Sequence, residues 1–338
     1  MKKIVITGGA GFIGSHIVDH FFGKYPKAEI FIFDKMTYAA DIRNITPLID
    51  HDRVHLVIED ICNLDACEKV LKGADLLIHA AAESHVDNSF GNSMEFTKTN
   101  VMGTHALMEA AMRCKVSKII HVSTDEVYGE VLEGDVDETA PLYPTNPYSA
   151  SKAGAEMVIS GYIRSFRLPV TVVRANNIYG IRQFPEKIIP KFLMMLMQEQ
   201  KLTLHGNGRN KRHYLAAPDF AAALSLIAER WKPFEIYNIG TDEEYTNLEL
   251  SSMLCAQFGL DLNDCATFVE DRPFNDGRYA LNWDHITELG WKPVFKFKEE
   301  LPKIALWYKE NFGRYEPVEN LKREPSIGAT KSNVVSIK

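Results

Sequence analysis

A glycine-rich loop directly after the first apolar segment constrains the fold of this chain more than any other feature. The run Lys3–Thr7 predicts a buried strand, and the letters TGGAGFIG continue from its last residue. Gly9, Gly11 and Gly14 fit G-x-G-x-x-G, and Gly8 replaces Gly9 in a variant with even three-residue spacing. Glycine permits a tight turn and lets backbone N–H groups approach a pyrophosphate where a helix begins. An ordinary glycine turn is the competing explanation, so context must decide.

Short apolar runs alternate with helical patterns through the first half of the chain. After the loop, a helix is predicted from Phe12 to about Phe22. Further strands are predicted at Glu29–Asp34, Val54–Val57, Ala74–His79 and Lys118–Val122, and helices near Asp65–Leu71 and Met94–Cys114. Strands alternating with helices predict an α/β fold, a doubly wound Rossmann-like parallel sheet with helices on both faces. Periodicity does not fix the order of the strands.

The pattern changes after Arg174. Prolines at positions 185, 190 and 218 interrupt helical segments, and Phe234–Ile239 and Ala266–Val269 resemble isolated strands. We therefore expect a dinucleotide-binding domain over 1–175, with segments returning from the second half, and a smaller mixed α/β substrate-binding lobe over 176–315. The polar, aperiodic residues 316–338 predict a flexible tail.

Composition excludes several classes of protein. With 338 residues, 46% of them hydrophobic and 25% charged, the chain is expected to be globular. A net charge of -7 disfavours a broad nucleic-acid surface, and no apolar run is long enough to cross a bilayer. Five cysteines without C-x-x-C spacing favour buried thiols over disulfides or zinc, so we expect no metal site. The N-terminus shows no cleavage-type signal, and we expect a cytoplasmic protein.

Acidic and small residues close the later strands in positions that suit a dinucleotide. Asp34 ends the second strand about 20 residues after Gly14, where a carboxylate accepts hydrogen bonds from ribose hydroxyls. That charge would repel a 2′-phosphate and favours NAD over NADP, although Lys35 weakens the preference. Asp60-Ile61 and Ala80–Ala82 follow the next two strands. A helix cap at Asp60 and simple packing of the alanines are the competing explanations.

Tyr148 and Lys152 form a candidate catalytic pair. They lie four residues apart at the start of a predicted helix and would share one face of it. A lysine ammonium near a phenol favours the phenolate, so we expect Tyr148 to act as a base near neutral pH. Alone, Y-x-x-x-K usually marks a solvated helix face. Its position after four βα units and a glycine loop makes it a strong signal.

Two adjacent carboxyls follow the fifth strand, in the segment STDEVYG. Thr124 places a hydroxyl where it can polarise a substrate oxygen, and Asp125 and Glu126 come next. Two carboxyls in different surroundings can separate into a protonated acid and an ionised base. A capping Asp beside a surface Glu is the simpler explanation.

Together these segments resemble the extended short-chain dehydrogenase/reductase superfamily and, within it, the nucleotide-sugar 4,6-dehydratases. The matching stretches are TGGAGFIGS, FDKMTYAADIRNI, AAESHVDNSF, STDEVYG, NPYSASKAGAE, PEKIIP and NDGRY. The resemblance implies NAD as cofactor and a nucleotide-diphosphate hexose, dTDP-glucose first, as substrate. It implies that Tyr148, supported by Lys152 and Thr124, removes the proton of the glucose 4-hydroxyl. Glu126 would then remove the C5 proton, and Asp125 would protonate the departing C6 hydroxyl.

The resemblance also implies binding residues. Those expected at the cofactor, besides Tyr148 and Lys152, are Gly8, Gly11, Phe12, Ile13, Gly14, Asp34, Lys35, Thr37, Asp60, Ile61, Ala80, Ala82 and Thr99. Those expected at the substrate are Ser84, His85, Asp87, Asn177, Glu186, Lys187, Arg212, Asn238, Arg272 and Asn275, with the two arginines as candidates for the diphosphate.

The chain departs from the family pattern where the nucleobase should lie. Leu204-His205-Gly206 replaces a tyrosine-containing stretch, and His213–Pro218 replaces D-W-L-Y-V-E. UDP-glucose therefore competes with dTDP-glucose, since the single methyl group between the two bases is worth only about 1–3 kcal/mol. Two further functions compete with dehydration: a C4 epimerase, which needs no Asp125–Glu126 pair, and a catalytically silent NAD-sensing protein.

A homodimer is expected by analogy, through the helices that begin near Met94 and Tyr148. Both helices carry apolar residues beyond a single stripe, namely Met102, Leu107, Met108 and Met112 on the first and Met157, Val158 and Ile159 on the second.

Overall fold

The structure is a computed structural model that describes residues 1–271 and 275–315. Its strands in chain order are β1 (Lys3–Thr7), β2 (Glu29–Asp34), β3 (Val54–Ile58), β4 (Leu76–His79), β5 (Lys118–Thr124), β6 (Val170–Ala175), β7 (Asn177–Tyr179), β8 (Leu202–His205), β9 (Lys211–Ala216), β10 (Ile236–Ile239), β11 (Glu244–Thr246) and β12 (Ala266–Val269). All five strands predicted in the first half are present, with ends that differ by no more than two residues.

The α-helices alternate with the strands. In chain order they are α1 (Phe12–Lys24), α2 (Thr46–Ile49), α3 (Leu64–Leu71), α4 (Val86–Gly91), α5 (Ser93–Phe96), α6 (Thr104–Arg113), α7 (Pro147–Phe166), α8 (Ile188–Met197), α9 (Ala217–Glu229), α10 (Asn247–Ala256), α11 (Leu262–Cys265), α12 (Asp284–Thr287) and α13 (Phe297–Glu310). Short 3-10 turns lie at Ile42–Asn44, Asp125–Tyr128 and Phe312–Arg314.

The central sheet has seven parallel strands in the order β10-β6-β5-β4-β1-β2-β3. Helices α1 and α9 pack on one face and α3, α6 and α7 on the other, so most side chains of the inner strands are buried. The strand order reverses between β1 and β4, and ligands bind at the carboxyl ends of the strands at such a switch point. The doubly wound α/β fold predicted from the sequence is confirmed.

Two small sheets, β11-β9-β7 and β12-β8, lie outside the central sheet. They share a separate core with α8, α10 and α13, which includes Tyr179, Phe192, Leu250 and Phe297. The prediction that Phe234–Ile239 is an isolated strand is wrong, because β10 pairs in parallel with β6 at the edge of the central sheet. An apolar run of this kind is typical of a buried parallel strand. Because β10 lies far along the chain from the other strands of the sheet, no local pattern indicated this pairing. Ala266–Val269 does lie outside the central sheet, paired with β8.

The single helix predicted over Met94–Cys114 is divided. A π-helical segment, Thr97–Gly103, separates α5 from α6. It turns Asn100 inward, where the side chain contacts the backbone of Glu83 and the hydroxyl of Ser151. Wide helical turns of this kind are frequent near functional sites. The predicted tail over 316–338 lies outside the described residues.

Candidate active site

The glycine loop closes tightly over the switch point. Gly8 has φ +69°, and a Cβ atom on Gly14 would lie 2.0 Å from the Gly8 carbonyl oxygen, so a larger residue cannot occupy position 14. Helix α1 starts at Phe12, and its N-cap Gly11 provides no side chain to cover the first N–H groups. A concave surface of backbone donors therefore faces the cleft, as a pyrophosphate requires.

Asp34 is the last residue of β2 and Lys35 follows it. Contacts within the protein orient both charged groups. Each Asp34 carboxylate oxygen accepts one backbone N–H, from Ala10 at 3.0 Å and from Met36 at 2.8 Å, and retains a lone pair for a ribose hydroxyl. Burial raises the pKa of Asp34, and these hydrogen bonds oppose the rise. The Lys35 ammonium pairs with Asp60 at 2.8 Å. A lysine engaged in this way is not available for a 2′-phosphate, which favours NAD.

Tyr148 and Lys152 lie on α7, whose start is fixed by Asn146 and Pro147. The Asn146 side chain accepts the N–H of Ser149 at 2.9 Å. Lys152 is 5% exposed and donates to the carbonyl of Val122 at 2.7 Å. Burial lowers the pKa of Lys152 to about 8, and the charge of Glu156 opposes the shift.

The pKa of Tyr148 differs from the expectation drawn from the sequence. Burial raises it above its ordinary value, the charge of Glu126 adds to the rise, and a hydrogen bond with Thr124 opposes it. In the protein alone the phenol is therefore protonated. Removal of that proton needs additional positive charge or a substrate oxygen in contact.

Thr124, Asp125 and Glu126 form the end of β5 and the start of its 3-10 turn. Asn176 donates to Asp125 at 3.0 Å, and Asn146 donates to Glu126 at 3.3 Å. Burial raises the pKa of Asp125 to about 6. Burial, followed by the charge of Asp125, raises the pKa of Glu126 to about 7. Because the two groups interact, the pair as a whole holds about one proton near neutral pH.

A cleft of about 450 Å³ joins these features. It is lined by every residue predicted at the cofactor, and by Thr124 and Glu126. Eight residues predicted at the substrate also line it: Ser84, His85, Asp87, Asn177, Glu186, Lys187, Arg212 and Asn275. Asp125 lies just beneath the surface, 3% exposed, with its carboxyl between Thr124 and Asn176.

Contacts across the cleft connect its two sides. Lys187 donates to the carbonyl of Ser84 at 2.6 Å, and Tyr38 donates to Glu186 at 2.8 Å. Arg212 is held over the ring of Tyr279, 4.5 Å from the centroid, and also donates to the carbonyl of Asp276. Its guanidinium is thereby oriented before any anion binds.

Among the described residues, Asn238 is the predicted substrate residue that does not line the cleft. Asn238 is fully buried and its side chain contacts Tyr128 and the carbonyls of Val136 and Asn282, so its prediction as a substrate residue is not supported by the geometry. Its position on β10 explains this, since that strand belongs to the central sheet. Arg272 lies outside the described residues.

Sequence reasoning missed several residues of the site. Asn146 and Asn176 contact the two carboxyls directly, and Tyr279 lines the cleft. An asparagine before Pro147 is a recognisable helix N-cap, so Asn146 could have been found as a cap. Its second contact, to Glu126, depends on a loop that no local pattern specifies.

The described part of the chain offers neither a metal centre nor a membrane-spanning helix. Over residues 1–271 and 275–315, no group of three or more His, Cys, Asp or Glu side chains could hold a metal ion. Within the same ranges, the helices are all too short or too polar to cross a bilayer.

Comparisons with known proteins identify the family of this chain. The family model for GDP-mannose 4,6 dehydratase matches residues 5–304. A trifunctional UDP-glucose 4,6-dehydratase, 3,5-epimerase and reductase of Arabidopsis thaliana is 44% identical over 92% of the chain, which spans only 47% of that relative. The dTDP-D-glucose 4,6-dehydratase of Homo sapiens is 39% identical, covering 94% of this chain and 93% of the human protein.

Among solved structures, DesIV, a dTDP-glucose 4,6-dehydratase from Streptomyces venezuelae crystallised with NAD bound, superposes with a TM-score of 0.91 at 40% identity. The match covers 94% of this chain and 99% of that one. The chain spans about half the length of the plant relative and nearly all of the human protein. It belongs to the GDP-mannose 4,6 dehydratase family, within the extended short-chain dehydrogenase/reductase superfamily of nucleotide-sugar enzymes.

Proposed function

We propose that this protein is an NAD-dependent nucleotide-hexose 4,6-dehydratase that converts dTDP-glucose to dTDP-4-keto-6-deoxyglucose. The observation that carries the proposal is a pair of adjacent carboxyls, the buried Asp125 and the half-buried Glu126, beside Thr124 and Tyr148 at one cleft. Oxidation at C4 needs only the tyrosine and its neighbours. Elimination of water needs an additional acid and base, which the two carboxyls supply.

The residues present suit NAD. The glycine loop can bind the pyrophosphate, Asp34 can accept the adenosine ribose hydroxyls, and Lys152 can reach the nicotinamide ribose. When bound, NAD provides the acceptor for a hydride from C4 and the donor of a hydride to C6. Lys35 pairs with Asp60, which would compete with a 2′-phosphate for this cation.

The protein groups move the protons. Tyr148 acts as its phenolate, a form that the positive charge of bound NAD would favour, and with Thr124 on the same oxygen it takes the proton of the 4-hydroxyl as the C4 ketone forms. The ketone acidifies C5, and Glu126 takes the C5 proton. The two carboxyls are coupled, and the reactive form of the pair is the one with the shared proton on Asp125 and Glu126 ionised. Asp125 gives that proton to the C6 hydroxyl, the C6–O bond breaks, and water leaves. A hydride then adds to C6 and a proton returns to C5, so the product is the substrate less one water.

UDP-glucose is the second candidate substrate. The plant relatives, whose names include UDP-glucose 4,6-dehydratase, are 44% identical to this chain, whereas the human dTDP-D-glucose enzyme is 39% identical. In addition, Leu204 and His205 line the cleft in place of the tyrosine-containing stretch. Incubating the purified protein separately with dTDP-glucose and UDP-glucose, and comparing kcat/KM for loss of water by mass, decides between them. Loss of water from neither would refute a 4,6-dehydratase acting on these hexoses.

An epimerase or a silent NAD-binding protein would have no use for the carboxyl pair. An epimerase returns the hydride to C4 and releases no water, so a product of unchanged mass would indicate that activity. A silent protein would bind NAD and transform neither sugar.

We also propose a homodimer formed through two adjacent helical segments. Met94 is 77% exposed and Met102 61% exposed on the segment around the π-helical turn, and Met157 is 58% exposed on α7. These segments contact each other, so the exposed methionines border one surface that a second copy could cover.

We further propose that residues 1–175 with β10 bind the cofactor and the remainder up to residue 315 binds the nucleotide sugar. The cytoplasm remains the proposed compartment. The five cysteines are free thiols, as a reducing environment maintains them.

A further inference from the structure

A buried ion pair lies behind the catalytic turn, on the side away from the cleft. Arg174 of β6 and Glu156 of α7 are each 4% exposed, and their closest atoms are 2.6 Å apart. The Arg174 Nε atom is also within 3.2 Å of both Glu156 carboxylate oxygens. Neither residue lines the cleft. The proposed reaction therefore gives the pair no direct role.

The pair contacts both ends of the segment that carries the catalytic groups. Ser123, which immediately precedes Thr124, donates to Glu156 at 2.5 Å. At the other end, Arg174 donates to the Tyr128 hydroxyl at 2.6 Å and lies over its ring, 4.7 Å from the centroid. Thr124, Asp125 and Glu126 lie between these two anchors.

A third contact extends the network. The Tyr128 hydroxyl donates to Asn238 at 2.8 Å, and the Asn238 amide donates to the carbonyls of Val136 and Asn282. Tyr128 is thus fixed from two sides. Asn238, which was predicted at the substrate, is fully buried and instead has a structural role in this network.

Stability alone does not account for two buried charges at this point. Withdrawing a carboxylate and a guanidinium from water is costly, and well-packed apolar residues often stabilise a core at least as well. What apolar residues cannot do is hold a serine hydroxyl and a tyrosine hydroxyl at fixed positions five residues apart. Glu156 also lies one helical turn after Lys152. The Glu156–Arg174 ion pair is therefore near both the catalytic residues of α7 and the turn that carries Asp125 and Glu126.

We propose that Glu156 and Arg174 are positioning residues, which fix the Thr124–Glu126 turn against α7 by clamping Ser123 and Tyr128. The proposal rests on the proposed dehydratase function for its kinetic consequence. Its structural consequence, a turn held rigid by the pair, is independent of that function.

The test replaces both charges together, because removing one alone would leave the other buried and unpaired and would destabilise the fold. In the Glu156→Gln/Arg174→Met double variant we expect bound NAD to be retained, kcat to fall on the order of 100-fold, and KM to change little. Hydrogen exchange of the Glu126 and Gly129 amides, which bond within the turn, should become faster. Arg174→Lys, which keeps one ion pair but loses the planar fork, should give an intermediate kcat.

Thr171→Val is the matched control, since Thr171 is a fully buried polar residue on the same strand whose hydroxyl donates to the carbonyl of Lys232, away from the turn. It should reduce stability without changing kcat or the exchange of the turn. A double variant whose turn exchanges at the wild-type rate would overturn the positioning role, whether or not the wild type is active. If neither dTDP-glucose nor UDP-glucose is dehydrated by the wild type, the proposed function fails separately, and the exchange measurement still decides this inference.

Discussion

At the scale of single residues, the site depends on two adjacent carboxyls, of which Asp125 is buried and Glu126 is half-buried at the cleft surface. Asp125 and Glu126 each accept a hydrogen bond from an asparagine side chain, Asn176 and Asn146 respectively. The charge of Arg212 lowers the pKa of both carboxyls, but by less than burial raises it. Burial without full charge compensation raises the pKa of both carboxyls towards neutrality, where an acid and a base are useful.

Replacing these carboxyls by their amides should stop elimination and leave NAD binding intact. For Asp125→Asn and Glu126→Gln, we expect product formation to fall about 10²–10⁴-fold for each change, since each removes a general acid or base. The reduced cofactor should accumulate on the Glu126→Gln variant after mixing with substrate, because oxidation at C4 precedes the missing step. The measurement is product mass together with NADH absorbance. Exposed Glu133→Gln is the control, and a fully active double variant would refute the acid–base roles.

The same carboxyls should weaken the fold as pH rises. Their folded pKa values, about 6 and about 7, exceed the ordinary values of 3.8 and 4.5, so the folded state binds more protons than the unfolded state between them. Stability contributed by the protonated forms is present at low pH and is lost as pH rises through about 4 to 7. We expect Asp125→Asn/Glu126→Gln to gain stability relative to wild type as pH rises across that window. Denaturant unfolding at several pH values tests this, and a difference independent of pH would contradict it.

At the scale of elements, helix α7 carries two of the five proposed catalytic residues. It presents Tyr148 and Lys152 to the cleft and Glu156 to the buried pair. Its N-cap is an asparagine and its first residue is a proline, which are residue types preferred at those two positions, and together they fix the start of the helix. Sequence alone could therefore locate this helix and its catalytic face.

Truncating the N-cap should separate stability from catalysis. Asn146→Ala removes the cap of α7, which costs about 1 kcal/mol of stability, and also removes the donor to Glu126. We expect a fall in kcat beyond what the stability loss explains. Thr246→Ala, which removes the capping box of α10, should cost similar stability with kcat unchanged at saturating substrate. Equal kcat in the two variants would show that Asn146 is only a cap.

Two other elements could not be predicted correctly from local sequence patterns. The π-helical segment Thr97–Gly103 depends on the fit of Asn100 against Glu83 and Ser151, which lie far apart in sequence. Likewise, β10 was predicted as an isolated strand, because its partner β6 precedes it by about 60 residues and an apolar run does not indicate which strand it pairs with. Pairing across such distances is decided by packing of the whole chain.

At the scale of the whole molecule, two cores meet along the cleft. The larger core surrounds the parallel sheet, and the smaller one joins α8, α10 and α13. The glycine loop, the carboxyl pair and the Tyr148–Lys152 pair were all predicted from motifs that lie on the sheet side. Contacts that cross the cleft, such as Lys187 with Ser84, depend on how the smaller core is oriented. The resemblance implied only that these residues lie at the substrate, and no contact between them was predicted.

The exposed methionines provide a test of assembly. Replacing Met157 and Met102 together by glutamate should convert a dimer to a monomer, because an apolar interface does not tolerate unpaired charge at its core. Light scattering over a range of concentrations measures the mass. Val294→Glu, which adds a charge at a residue that is 74% exposed and lies outside both helical segments, serves as control. A wild type that is monomeric at every concentration would refute the proposed dimer.

The most direct test of the account follows one hydrogen atom. Substrate carrying deuterium at C4 of the hexose is incubated with the NAD-loaded protein, and the product is examined by mass and by NMR. Tyr148, Glu126 and Asp125 exchange only protons with the sugar, so the account predicts that the deuterium appears in the new methyl group at C6. A dehydrated product without deuterium in that methyl group would contradict it.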